Sequence, residues 1–268
     1  MNPVRTSLFP VLTAYLPGLF YLSLFLLSVC SCQTEDSEGI QVAENMHIVL
    51  IGNNLGSRMM NYGYFETEMH VRHPDKNLYI RNMCDPGNTP GFRPHASRNS
   101  PWAFPGAEKF QDENANPSGS IGHFPTEDEW ITNLSADVII AFFGYSESFE
   151  GVAGLETYKS ELQAFIDHTK AMNYNGDTST QLVIVSPIAF EDLSDQMDLP
   201  DGIQENKNLR LYTEGMREVA AANDVVFVDA FAPTETWYAT AADPMTIDGS
   251  QLTRKAYQRF GTFLADHI

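Results

Sequence analysis

The sequence predicts a three-layer α/β/α domain built on a parallel, flavodoxin-like sheet of about five strands. Short apolar runs recur at residues 46–51, 77–81, 136–143, 181–186 and 225–228. The strongest of them show no alternation of polar and apolar residues, which marks strands buried on both faces. Between the runs lie segments whose apolar residues fall at helical spacing. Neither an internal repeat nor a second domain interrupts this order.

The first strand is Met46-His-Ile-Val-Leu-Ile51, and it ends in Gly52-Asn53-Asn54. A helix is expected from about Ser57 to Arg72, with Met59, Met60, Tyr62, Phe65 and Met69 as a loose stripe and His73-Pro74 as its stop. Asn77 to Arg81 reads as a second strand. The stretch from Asn82 to Pro125 is rich in Pro, Gly, Asn and Ser and carries Arg93, His95, Arg98, Trp102, Phe104 and His123. It reads either as a ligand wall or as a surface loop packed on itself. Thr126-Glu-Asp-Glu129 is a capping box, so a helix starts there and is expected to bury Trp130, Ile131 and Leu134. The run from Ala136 to Phe143 is the strongest strand signal. Helical spacing follows from Leu155 to Met172, a strand from Gln181 to Ser186, a helix from Asn206 to Ala222 and a last strand from Val225 to Val228. Leu252, Ala256, Phe260, Phe263 and Leu264 define a C-terminal helix.

Residues 1–32 read as a lipoprotein signal peptide: Arg5, then an apolar run from Leu19 to Val29, then Val29-Cys30-Ser31-Cys32. That run is too short for a membrane span. Cys32, with small Ser31 before it, is the expected lipidation site. Cys30, preceded by the larger Val29, fits less well; an ordinary cleaved signal or a retained anchor are the other readings. Residues 33–45 form an acidic tether and residues 46–268 the folded domain. The expected location is therefore the bacterial cell envelope, periplasmic or on the outer-membrane surface, with the membrane reached through a lipid anchor. Thirty-five acids against 16 bases give a net charge of −19, which argues against a nucleic-acid partner. His70 and His73 near a helix end lack a third ligand, so no metal is expected.

Ligands of such folds bind beyond the carboxyl ends of the strands. Four peptides there matter most: Gly52-Asn-Asn-Leu55, the region of Gly87, Gly144-Tyr-Ser-Glu147 and Thr246-Ile-Asp-Gly-Ser-Gln251. In this order they resemble the sequence blocks of the SGNH (GDSL-type) hydrolases, over roughly Met46 to Ile268. Phe143-Gly-Tyr-Ser-Glu-Ser-Phe149, Ser186-Pro-Ile-Ala-Phe-Glu-Asp192 and Leu199-Pro-Asp-Gly202 resemble more closely an SGNH-like domain of secreted bacterial haem-binding proteins. No Cys-x-x-Cys-His motif occurs, so neither covalent haem nor another cofactor is implied.

The resemblance implies a serine nucleophile where this chain has Asn54. It implies an oxyanion donor at Gly87 and another at Ser146, where the family has asparagine. It implies an Asp-x-x-His pair, here Asp248 and Gln251. Carboxamides neither attack nor accept a proton near neutral pH, so the serine route is expected to be lost. The expected role is then binding, of an acylated glycan or another small ester, or scaffolding. Two alternatives stand beside it: a structural component of an envelope complex, and an esterase or deacetylase with a rearranged site, using Glu147 as substitute base or His95 or His123 from the long loop.

Overall fold

The computed structural model describes residues 39–95, 98, 100–111 and 124–268, all within the compact unit Asp36–Ile268. The expected signal segment with Cys32, and His123 of the long loop, lie outside the described residues.

Five strands, β1 (His47–Gly52), β2 (Tyr79–Asn82), β3 (Val138–Phe142), β4 (Gln181–Val185) and β5 (Val226–Val228), form one sheet in the order β2-β1-β3-β4-β5. Every neighbouring pair is parallel. Side chains of a strand point alternately to opposite faces. Ile48, Leu50, Val138, Ile140, Phe142, Val183 and Val185 therefore enter one core, and Val49, Ile51, Ile139, Ala141, Leu182 and Ile184 the other. Both faces of β1, β3 and β4 are covered, which is why these strands read as continuous apolar runs.

The first core is closed by α2 (Tyr64–Arg72), α6 (Phe231–Thr240) and α7 (Arg254–Asp266), through Phe65, Met69, Trp237, Tyr257, Phe260 and Leu264. The second is closed by α3 (Glu127–Asn133), α4 (Gly151–Ala171) and α5 (Ile203–Ala222), through Ile131, Leu162, Phe165, Tyr212 and Met216. The result is the expected three-layer α/β/α sandwich. In this strand order the connections leave β1 and β3 toward opposite faces, and a crevice opens between their carboxyl ends.

Four local expectations need correction. The helix expected from Ser57 to Arg72 is divided into α1 (Asn54–Arg58), a 3₁₀ turn (Met59–Asn61) and α2. Tyr62 is extended (φ −142°, ψ 97°), so the chain turns before Gly63 and restarts. Trp130 remains 37% exposed although the Thr126–Glu129 capping box forms as expected. The second strand lies slightly later than the pattern suggested, at Tyr79–Asn82. Helix α6 had no sequence signal: it is rich in threonine and carries Pro233, which the first turn of a helix tolerates.

The described residues of the long loop pack against the domain and one another. Arg93 is 1% exposed and pairs with the equally buried Glu127 at 3.1 Å, while its guanidinium lies over the rings of Phe143 and Phe165. Arg98 reaches the other oxygen of Glu127 at 2.9 Å. Phe104 is buried and Trp102 packs on Phe92.

Candidate functional site

The first wall of the crevice is the turn after β1. Gly52 has φ +116°, and a Cβ there would stand 2.1 Å from the Phe142 carbonyl oxygen of β3. Glycine is therefore required by both conformation and space. Asn53 donates its backbone N–H to that same carbonyl at 2.9 Å and caps α1, its side chain accepting from the Leu55 N–H. Asn54 is thereby set at the start of α1, at the mouth between β1 and β3.

The opposite wall is the loop before α7. Asp248 Oδ1 accepts from the backbone N–H of Ser250 at 3.0 Å and of Gln251 at 2.8 Å. Its Oδ2 accepts from Gln251 Nε2 at 2.6 Å. A carboxylate only accepts, so the amide nitrogen must face Asp248 and Gln251 Oε1 is the end turned elsewhere. Glu191 braces this loop from beneath. It is 6% exposed and accepts from the backbone N–H of Met245 and from both the N–H and hydroxyl of Thr246. The Thr246 hydroxyl oxygen in turn accepts from the Gly249 N–H at 3.0 Å.

Asn54, Gly87, Ser146 and Gln251 line one cavity of about 40 Å³, together with Asn53, Leu55, Arg58, Tyr145, Pro187, Ile188, Ser250 and Tyr257. Asp248 stands behind Gln251. Burial raises the Tyr145 phenol above its ordinary value, with the Asp248 carboxylate adding to it and a hydrogen bond to Ser250 opposing it. Tyr257 donates to the Leu55 carbonyl at 3.0 Å and ties α7 to α1.

Tyr145 lies in the Gly144–Glu147 peptide named from the sequence, whereas Arg58, Tyr257 and Glu191 were not singled out as site residues. Arg58 had a readable signal, because a residue four positions beyond Asn54 shares its face of a helix. The others reach the site through contacts distant in sequence.

Glu147 is not brought to this cavity. Its carboxylate folds back to accept from the Gly144 N–H at 3.0 Å, and its other oxygen is buried without a hydrogen-bond partner. Burial pushes its pKa up to about 8, and the neighbouring Glu161 adds to the rise. His95 lines a different depression, with Asp85, Asn88, Arg98, Phe124 and Trp130. His267 stands past the far end of α7, its ring tilted against that of Phe263 at 4.3 Å. Ser57 is absent from the cavity wall.

No protein-family model and no curated protein sequence matches the chain. Solved structures do. A gut microbial diltiazem-metabolizing enzyme superposes with a TM-score of 0.60 at 14% identity, over 85% of this chain and 48% of its own, so the chain spans about half the length of that protein. A GDSL-like lipase from Parabacteroides merdae gives 0.58 at 13% identity, over 85% and 97% of the two chains. A catalytic mutant of an acetylxylan esterase from Geobacillus stearothermophilus gives 0.55 at 11% identity, over 85% and 94%. The chain has the SGNH (GDSL-type) hydrolase fold. At these identities the likeness establishes the fold alone. In the acetylxylan esterase, catalytic mutants replace a serine, and an aspartate and a histidine that stand three positions apart.

Proposed function

We propose that this chain is an SGNH-fold binding protein of the bacterial cell envelope, anchored through a lipid on Cys32, whose serine route of hydrolysis is lost. The observation that carries this reading is the shared cavity of Asn54, Gly87, Ser146 and Gln251, with Asp248 gripping the Gln251 amide nitrogen. The positions that match the family's catalytic blocks meet as an active site would, but the chemistry at two of them has changed. The Asn54 carboxamide is no nucleophile. Gln251 keeps the hydrogen bond that would orient a histidine and offers a carbonyl oxygen in place of a basic nitrogen. In a serine hydrolase, loss of the serine or the histidine costs on the order of 10⁶ in turnover. Glu147, turned into the protein, supplies no substitute base at the wall.

The oxyanion positions at Gly87 and Ser146 still line the cavity, which supports binding of an acyl group without its cleavage. The acetylxylan esterase neighbour favours an acylated glycan as the ligand class. The double variant Asn54→Ser, Gln251→His tests this: it gains hydrolysis of p-nitrophenyl acetate, while the unaltered chain has none above background. Hydrolysis by the unaltered chain that is abolished by a substitution in the cavity wall would overturn the reading. Metabolic labelling with a radioactive fatty acid, lost in Cys32→Ala, tests the anchor.

A further inference from the structure

We infer that the cavity between α1 and the loop before α7 takes a carboxylate, free or at the tip of a larger ligand, through Arg58. The inference rests on the reading of this cavity as a ligand site and names the chemistry it selects.

Arg58 lies four residues after Asn54 in α1, so both side chains stand on one face of that turn, and both line the cavity. Arg72, Arg93, Arg98, Arg210 and Arg217 each meet a carboxylate. Arg58 meets none among the described residues. Its protein contact is the Tyr257 hydroxyl, which is itself held by the Leu55 carbonyl. Its Nε is buried and lacks a hydrogen-bond partner among the described residues. A guanidinium that is partly withdrawn from water and unpaired is costly, and an anion placed against it relieves that cost. Nearby, the Asn54 carboxamide and the Ser146 hydroxyl also line the cavity and make no side-chain hydrogen bond with a described residue. They offer neutral donors to the same guest.

Size and charge narrow the guest. A cavity of about 40 Å³ suits a group of a few heavy atoms, the size of formate or acetate. Among the described residues Arg58 is the charged one of its wall, and no carboxylate lines it. The nearby Asp248 is taken up by Ser250 and Gln251. The chain's net charge of −19 repels anions at long range. That field is screened beyond about 8 Å at physiological ionic strength, whereas the guanidinium acts at contact. A neutral ester or amide of the same shape still accepts a hydrogen bond from the guanidinium but lacks the attraction of opposite charges, so the site holds an acyl ester and favours the free acid over it.

The test is a titration of the full chain with sodium acetate and, separately, with acetamide at pH 7, read by calorimetry or ligand-observed NMR. Acetate is expected to bind saturably, with a dissociation constant on the order of millimolar, as suits a four-atom ligand. Acetamide is expected to bind at least about tenfold more weakly, since it lacks the charge that strengthens such hydrogen bonds. Arg58→Gln is expected to weaken acetate by a similar factor, and Arg58→Lys by less. Equal affinity for acetate and acetamide, or for acetate in the unaltered chain and in a folded Arg58→Gln variant, overturns the inference. So does binding of neither ligand. These outcomes leave the lost-hydrolase reading intact, because that reading is decided by ester hydrolysis in the Asn54→Ser, Gln251→His variant.

Discussion

Asp248 Oδ2 and Gln251 Nε2 stand 2.6 Å apart, and this hydrogen bond decides which end of the carboxamide faces the cavity. Asp248 holds the amide as an aspartate holds an imidazole in an Asp-x-x-His pair. On the proposed reading, the orienting half of such a pair is kept and the proton-accepting half is not. A histidine at 251 would find its orienting partner already in place, fixed by Ser250 and by the Gln251 backbone.

The two missing groups should therefore act as a unit. Asn54→Ser alone and Gln251→His alone are each expected to leave p-nitrophenyl acetate hydrolysis at background, and only their combination to gain it. Adding Asp248→Asn to the active double variant should cost roughly 10⁴ in turnover, the scale seen when a triad aspartate loses its charge. Steady-state rates of the four proteins check this. A single variant as active as the double would show that the pair is not the working couple.

The pH dependence of stability should carry the mark of Glu147. Burial and the nearby Glu161 raise its pKa from 4.5 to about 8 in the folded chain. Between those values the folded chain keeps a proton that the unfolded chain has released. Stability then falls as pH rises through this window, by on the order of a few kcal/mol. Glu161, also raised by burial, adds a slope of the same sign. Glu147→Gln should mimic the protonated carboxyl, flatten the profile and raise Tm at pH 8. Thermal melts from pH 5 to pH 8 decide it, and a variant with an unchanged slope would exclude Glu147 as the titrating group.

The contrast between Glu147 and Gln251 shows how much of the site a sequence can carry. The central strands β1, β3 and β4 were legible because burial on both faces leaves continuous apolar runs, and so was the crevice, because strand ends collect the turn peptides. The direction of a side chain was not. Ser146 and Glu147 are adjacent, yet Ser146 lines the cavity and the Glu147 carboxylate turns back to the Gly144 N–H. Helix α6 escaped notice because threonines fill positions that helical spacing would give to apolar residues; Thr234 is fully buried and satisfies itself on the backbone of Ala230. Tyr257 reaches Leu55 across 202 residues and Glu191 reaches Met245 across 54, so no local pattern reveals either.

The described part of the long loop is expected to be held by the buried cluster of Arg93, Arg98 and Glu127. Glu127→Gln leaves two guanidinium groups without their shared counter-charge, one of them 1% exposed. Removing one partner of a buried ion pair costs about 3–5 kcal/mol. Urea denaturation should show a loss of that size with an unchanged m-value. A loss below about 1 kcal/mol, the range of exposed pairs, would mean that water reaches the cluster.

Glu191 is the support on which the Asp248–Gln251 loop rests. Its Oε2 accepts from the Thr246 N–H and hydroxyl, both at 2.6 Å, and from the Met245 N–H at 3.0 Å. Its Oε1 accepts from the Met245 N–H alone, at 2.9 Å. Glu191→Ala strands these donors in a buried place, at about 1–3 kcal/mol for each group left unpaired. Glu191→Gln can keep its amide oxygen at the Oε2 position, retain most of the bonds and lose less. Hydrogen exchange at the Met245 and Thr246 amides should quicken strongly in the alanine variant and modestly in the glutamine variant. In the Asn54→Ser, Gln251→His background the same order should appear in turnover, because a loosened loop no longer holds residue 251 against the cavity. Equal exchange rates in the two variants would show that packing, and not this carboxylate, holds the loop in place.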